Sequence, residues 1–83
     1  MKNVYQLQVR AVCPIHKELI DVYEITVTSN ETIKVETILD CFEKYRNQQV
    51  LQEEMTRQAA VSLGASVLSV GIHAGVSVIC LAP

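Results

Sequence analysis

Cys13-Pro14-Ile15-His16-Lys17-Glu18-Leu19-Ile20-Asp21 joins two runs of strict two-residue alternation, and its reading decides the fold. Before it, Tyr5, Leu7, Val9 and Ala11 are apolar or small while Gln6, Gln8 and Arg10 are polar. After it, Tyr23, Ile25 and Val27 alternate with Glu24, Thr26 and Thr28. A period of two belongs to a strand with one covered face, so the spacing predicts strands over about 4–13 and 19–29. Pro14 lacks an N–H and fixes its own φ, and therefore starts the connection. The same period carries Cys13 onto the apolar face of the first strand and Asp21 onto that of the second. One thiol and one carboxylate thus meet at the facing ends of a hairpin, under whatever covers it.

Outward from the hairpin, Asn30-Glu31-Thr32 groups helix-starting residues, with Asn30 or Thr32 as the candidate cap. A helix over about 33–46 follows, its apolar Val35, Ile38, Leu39, Phe42 and Tyr45 recurring at threes and fours. Asn47, Gln48 and Gln49 interrupt that pattern. A second helix is predicted over about 51–63, with Leu51, Met55, Ala59 and Leu63 spaced by fours and Gly64 at the left-handed C-cap position. Two short strands, about 66–71 and 76–81, close the chain, with Gly71, His73, Ala74 and Gly75 as the turn or bulge between them. Both strands carry apolar groups on both faces, which calls for cover on both. Two helices cover one face only, so the other is expected to meet a second subunit. The order β-β-α-α-β-β then gives one α+β domain, residues 1–83, with a four-stranded antiparallel sheet and both helices on a single face.

Eighty-three residues bury only roughly 60–65 per cent of their unfolded surface, so oligomerisation is expected to add to the core. No apolar run reaches the roughly 18 residues that span a membrane, and the opening Met1-Lys2-Asn3-Val4 lacks the apolar centre of a signal peptide. A membrane partner is therefore not expected, and a cytoplasmic location is. The net charge of −2 supplies no basic stripe for strong non-specific nucleic-acid binding, although an oligomer can gather its few cations into a local patch. Three cysteines, at 13, 41 and 80, are an odd number without C-x-x-C spacing, which argues against a disulfide framework or a structural zinc site. Cys13, His16 and His73 are scattered candidates for a metal; none is expected, and surface loop positions are the simpler reading of the two histidines.

Cys13-Pro14 with Asp21 eight residues later, leading into an alternating strand, resembles the signature of the QueF nitrile reductases and the QueF-like amidinotransferases of the tunnelling-fold (T-fold) superfamily. So does the later stretch, in which Glu36 opens the first helix, Tyr45-Arg46-Asn47 ends it, and Glu53-Glu54 opens the second. The resemblance covers about 5–81 and implies a T-fold unit that assembles into an oligomeric barrel. Three departures mark it. The spacing from Cys13 to Asp21 is one residue longer than the family's. Gln52 stands where the relatives carry a His before the Glu. The Ser- and Lys-rich run with which the reductases receive NADPH phosphates is replaced by Thr37-Ile38-Leu39-Asp40-Cys41, which offers no cation to a phosphate. The resemblance is therefore closer to the amidinotransferases and implies no cofactor.

What it implies chemically is addition of the Cys13 thiolate to the nitrile of 7-cyano-7-deazaguanine (preQ0), giving a thioimide that ammonia converts to a formamidine, the archaeosine-type modification, on a base in tRNA or a related nucleic acid. His16 and Lys17 would help populate the thiolate. Asp21 would be the general acid toward nitrogen, since a carboxyl on an apolar face tends to keep its proton. Glu53 would accept the amino and ring N–H edge of the base, with Gln52 beside it and Glu36 in the equivalent place on the first helix. Each residue also has a plainer reading: Cys13 as a core thiol, Asp21 as the end of a turn, Glu36 and Glu53 as ordinary first-turn helix acids. Alternatives at the level of function are an NADPH-dependent preQ0 nitrile reductase, a relative of the type IB GTP cyclohydrolases, and a non-catalytic oligomeric module that binds a purine or pterin.

Overall fold

A computed structural model describes every residue except His16 and Lys17. The support those two would lend to the Cys13 thiolate, and the place of His16 in a metal set, lie outside the described residues. The chain runs β1 (Asn3–Val12), β2 (Ile20–Ser29), α1 (Val35–Glu43), α2 (Gln52–Leu63), β3 (Ser66–His73) and β4 (Val76–Ala82). The strands form one antiparallel sheet in the order β1-β2-β3-β4, with the two helices on one face, as expected.

The register shows why. Leu7 pairs with Ile25, Val9 with Tyr23 and Ala11 with Asp21, so the odd positions of both strands share the face that the helices cover. Val9, Ala11, Tyr23, Ile25, Val27 and Val67 from the sheet pack with Ile38, Phe42, Tyr45, Met55 and Ala59 from the helical layer. Full burial of side chains as large as Tyr23, Ile25 and Met55 contributes about 1.5–3 kcal/mol each.

The first helix is shorter than its periodicity suggests. Neither Asn30 nor Thr32 caps it; Lys34, extended and without a side-chain cap bond, takes that place. The backbone leading in is held from elsewhere, since Ser29 Oγ accepts the Glu31 N–H and the Tyr5 hydroxyl accepts the Ile33 N–H. At the other end, the N–H groups of Tyr45, Arg46 and Gln48 bond three residues back, a tightening of the kind common at helix termini. Asn47, at φ 57, then turns the chain onto β1. Its N–H reaches Arg10 O at 3.0 Å, Val12 donates to Gln48 O at 2.8 Å, and Val50 donates to Val12 O at 3.4 Å. This short stretch covers half the outer edge of β1, and its docking explains why the apolar period stops at Tyr45.

α2 begins at Gln52 after Leu51, and Gly64 closes it in the left-handed region at φ 61, as its position predicted. The last hairpin differs from expectation. β3 continues through Gly71 to His73, and the turn is Ala74-Gly75 alone, with φ 51 and 80 and His73 paired to Val76. Two positive φ values in succession define the tight hairpin turn whose twist matches that of the strands. The doubly apolar strands are covered on one face only within the chain: Ile72, Ile79 and Leu81 are 64–69% exposed.

Candidate active site

At the end of the sheet where both hairpins turn, a cavity of about 240 Å³ opens between the strands and the start of α2, lined by Cys13, Tyr23, Gln52, Glu53, His73 and Val78 among others. Cys13 follows β1 directly; its N–H donates to Leu19 O at 3.0 Å and its side chain is buried. Pro14 and Ile15 complete that wall. Asp21 sits across from Ala11 at the start of β2, where its Oδ2 accepts the Tyr23 hydroxyl proton at 3.1 Å and lies 4.0 Å from His73 Nδ1. Glu53 is exposed in the first turn of α2, at the helix end that favours negative charge.

Gln52 is buried and engaged. Its Nε2 shares two N–H groups among Ser69 O at 3.2 Å, Ser69 Oγ at 3.1 Å and Val78 O at 3.0 Å, and its Oε1 faces His73 Nε2 at 3.0 Å. Behind it, Thr56 donates to Gln52 O at 2.7 Å, and the Thr56 and Ser69 hydroxyls meet at 2.6 Å. With Thr56 committed as that donor, Ser69 supplies the proton between the two hydroxyls. These bonds tie the first turn of α2 to β3 and β4 and fix the cavity wall.

The Tyr23 phenol is pushed up, above the ordinary tyrosine range, first by burial and then by the Asp21 carboxylate, whose charge and hydrogen bond both favour the protonated hydroxyl; the Cys13 and Cys80 groups add to this. Tyr23 is therefore a fixed donor to Asp21. A phenol whose pKa is raised on folding contributes stability that is present below the unfolded value of about 10 and is lost only as the pH rises through the higher folded value. The difference in 295-nm absorbance between wild type and Tyr23→Phe is expected to stay flat through about pH 10. A tyrosinate step in that range would contradict the placement. Cys80 lies near the same wall, where burial and the Glu53 carboxylate push its thiol up against a smaller opposing effect of the Ser69 hydrogen bond.

Gly71 marks a close approach. A Cβ built there would lie 2.7 Å from Cδ1 and Cε1 of Tyr23 and 3.2 Å from Gln52 Oε1, and the buried ring has no room to give. Gly71→Ala is expected to destabilise the protein by about 1–3 kcal/mol, the usual cost of overpacking, read from urea unfolding midpoints. An unchanged midpoint would show that the ring moves freely.

Of the residues singled out by sequence, the fold brings Cys13, Gln52 and Glu53 to one cavity, with Asp21 directly behind Tyr23 and His73. Glu36 is exposed in the first turn of α1 and does not line this cavity. Tyr23 and His73 are the members that sequence reasoning missed; Gly71, read as part of the turn, is the signal that could have found their packing, had it been taken as a glycine inside a strand. A larger hollow of about 530 Å³, at the opposite end of the sheet among Lys2, Asn30, Glu31 and Gly64, contains no thiol or imidazole. Among the described residues no three His, Cys, Asp or Glu side chains group as a metal set, and no helix is long and apolar enough to cross a membrane.

The class that this architecture defines is an α+β domain with the QueF-like fold. In particular, the chain is similar to the crystal structure of the archaeosine synthase QueF-Like in the apo form, with a TM-score of 0.83 over 98% of this chain and 90% of that one and 21% sequence identity. What is shared at that identity is the fold. No family model and no curated protein matches the sequence.

Proposed function

We propose that the protein is an amidinotransferase of the QueF-like kind, which converts the nitrile of a 7-cyano-7-deazaguanine base, in tRNA or a related nucleic acid, to a formamidine with ammonia. The observation that carries this reading is the grouping of Cys13, Tyr23 and Glu53 around one cavity, with Asp21 bonded to the Tyr23 hydroxyl at its wall; the QueF-like fold supports it. Cys13 Sγ, as thiolate, bonds to the nitrile carbon while Asp21 gives its proton to the nitrogen, forming a thioimide. Ammonia then adds to that carbon, its surplus proton returns to Asp21, and the C–S bond breaks to release the thiolate. Sulfur and Asp21 end as they began, so neither nicotinamide nor metal enters the balance. Because the Gln52 amide is committed to Ser69, Val78 and His73, Glu53 is the acceptor left for the amino and ring N–H edge of the base.

The test is intact-mass spectrometry of the protein mixed with 7-cyano-7-deazaguanine. A covalent adduct located at Cys13 supports the nitrile chemistry, and its absence under all conditions favours the purine- or pterin-binding module or the cyclohydrolase relative. Oxidation of NADPH dependent on the nitrile would restore the reductase.

The same reading includes a homo-oligomer built edge to edge. A cavity of about 240 Å³ is smaller than the roughly 300–1,000 Å³ of ordinary ligand sites, so a neighbouring copy would enlarge and close it. The exposed Ile72, Ile79 and Leu81 on the outer sheet face and the groove of Tyr5, Leu7, Val35 and Leu39 along β1 and α1 supply the apolar surface. Sedimentation at micromolar concentration is expected to show an oligomer, and a stable monomer would remove this part of the proposal.

A further inference from the structure

The polar cluster beside the cavity contains one titratable group that the proposed chemistry leaves unused, the imidazole of His73. Its tautomer follows from its neighbours. Backbone carbonyl oxygens only accept, so the Gln52 atom within 3.2 Å of Ser69 O and 3.0 Å of Val78 O is the NH₂ group, and the amide oxygen is the atom that faces His73. At 3.0 Å from that oxygen, His73 Nε2 is the N–H donor. The proton-exchanging nitrogen is then Nδ1, which faces Asp21 Oδ2 at 4.0 Å. The Tyr23 ring, tilted against the imidazole at 6.0 Å between centroids, helps to hold this attitude, while its hydroxyl donates to the same Oδ2. The Asp21 carboxyl thus lies between a fixed donor and a nitrogen that can either accept or donate.

We propose that His73 is a positioning residue that acts through Asp21: Nδ1 exchanges one proton with the carboxyl, so that a proton given to the substrate is replaced from β3. This inference rests on the nitrile reading above and adds to it a residue from β3. The pair loses one proton to the nitrile nitrogen as the C–S bond forms. It regains one from the added ammonia before that bond breaks, so the cycle closes. A separation of 4.0 Å is of the kind that shortens when a substrate binds and excludes water. The other titratable groups around the pair, among the described residues, are Tyr23 on β2, Glu53 on α2, Cys80 on β4 and Cys13.

Two measurements test it. His73→Gln keeps a donor for Gln52 but cannot exchange a proton. Its single-turnover rate of adduct formation with 7-cyano-7-deazaguanine is expected to fall roughly tenfold or more, while binding of the base, followed in a Cys13→Ala background, is unchanged. An equal loss of rate and binding, or no loss, overturns the proposal. Independently of any substrate, ¹⁵N NMR in a His16→Gln background, which leaves His73 as the only imidazole, is expected to show the Nε2–H tautomer. The opposite tautomer overturns the pair even if His73→Gln does not fold. Absence of any wild-type adduct overturns the nitrile chemistry instead, and the NMR result still decides whether Nδ1 is the nitrogen that faces Asp21 without a proton of its own.

Discussion

Cys13→Ala is expected to abolish covalent capture of 7-cyano-7-deazaguanine completely, because the bond requires sulfur at that place and no neighbour can supply it. The competitor is Cys80, near Glu53. Burial and the Glu53 carboxylate push its thiol up, which lowers its thiolate fraction at neutral pH, and the thiolate is the nucleophile. Cys41 is on α1, packed against the core and absent from the cavity lining. Peptide mapping of the adduct checks the assignment. Labelling of Cys41 or Cys80 at the wild-type rate in Cys13→Ala would show that the 13–21 stretch builds a hairpin end and nothing more.

Asp21→Asn is expected to slow adduct formation by roughly a hundredfold or more, the usual loss for a general acid, while leaving the base bound. The substitution is nearly isosteric, and an asparagine oxygen still accepts the Tyr23 hydroxyl proton now bonded at 3.1 Å, so the wall should keep its shape. The loss should persist across the pH range, since an amide cannot be reloaded with a proton. Rapid-quench mass spectrometry gives the rate, and binding followed separately in Cys13→Ala gives the occupancy. An unaltered rate would make Asp21 the end of a turn; an equal loss of rate and binding would make it a residue of the binding surface.

The frame of the molecule was legible because period two in β1 and β2 has a single physical meaning, a sheet covered on one side. The same period placed Cys13 and Asp21 on one face. Gly64 likewise announced the end of α2, since its φ of 61 strains any residue with a Cβ. The ends of α1 were not legible: Tyr5, twenty-eight residues away, accepts the Ile33 N–H, and Arg10 accepts the Asn47 N–H. Such long-range bonds override a local cap signal. His73 was assigned to a turn because Gly71 and Gly75 bracket it. Only the Tyr23 ring over Gly71 shows that the first of those glycines belongs to a strand. Gln52 stood out as a departure from a family pattern, but its bonds to Ser69 and Val78 depend on how β3 and β4 align, which no spacing reveals.

The docking of Asn47 to Val50 along β1 also bears on aggregation. An edge strand offers every second residue's N–H and C=O to any other chain, and slippage along such an edge is how sheets recruit wrong partners. Here the Arg10 C=O and both the N–H and the C=O of Val12 are already bonded within the chain, and by alternation the rest of that edge is carried by Val4, Gln6 and Gln8. An incoming strand therefore meets a physical stop after about three residue pairs' length of usable edge. A strand shifted two residues toward the hairpin collides with the docked segment, so β1 offers only a short template for pairing with another chain.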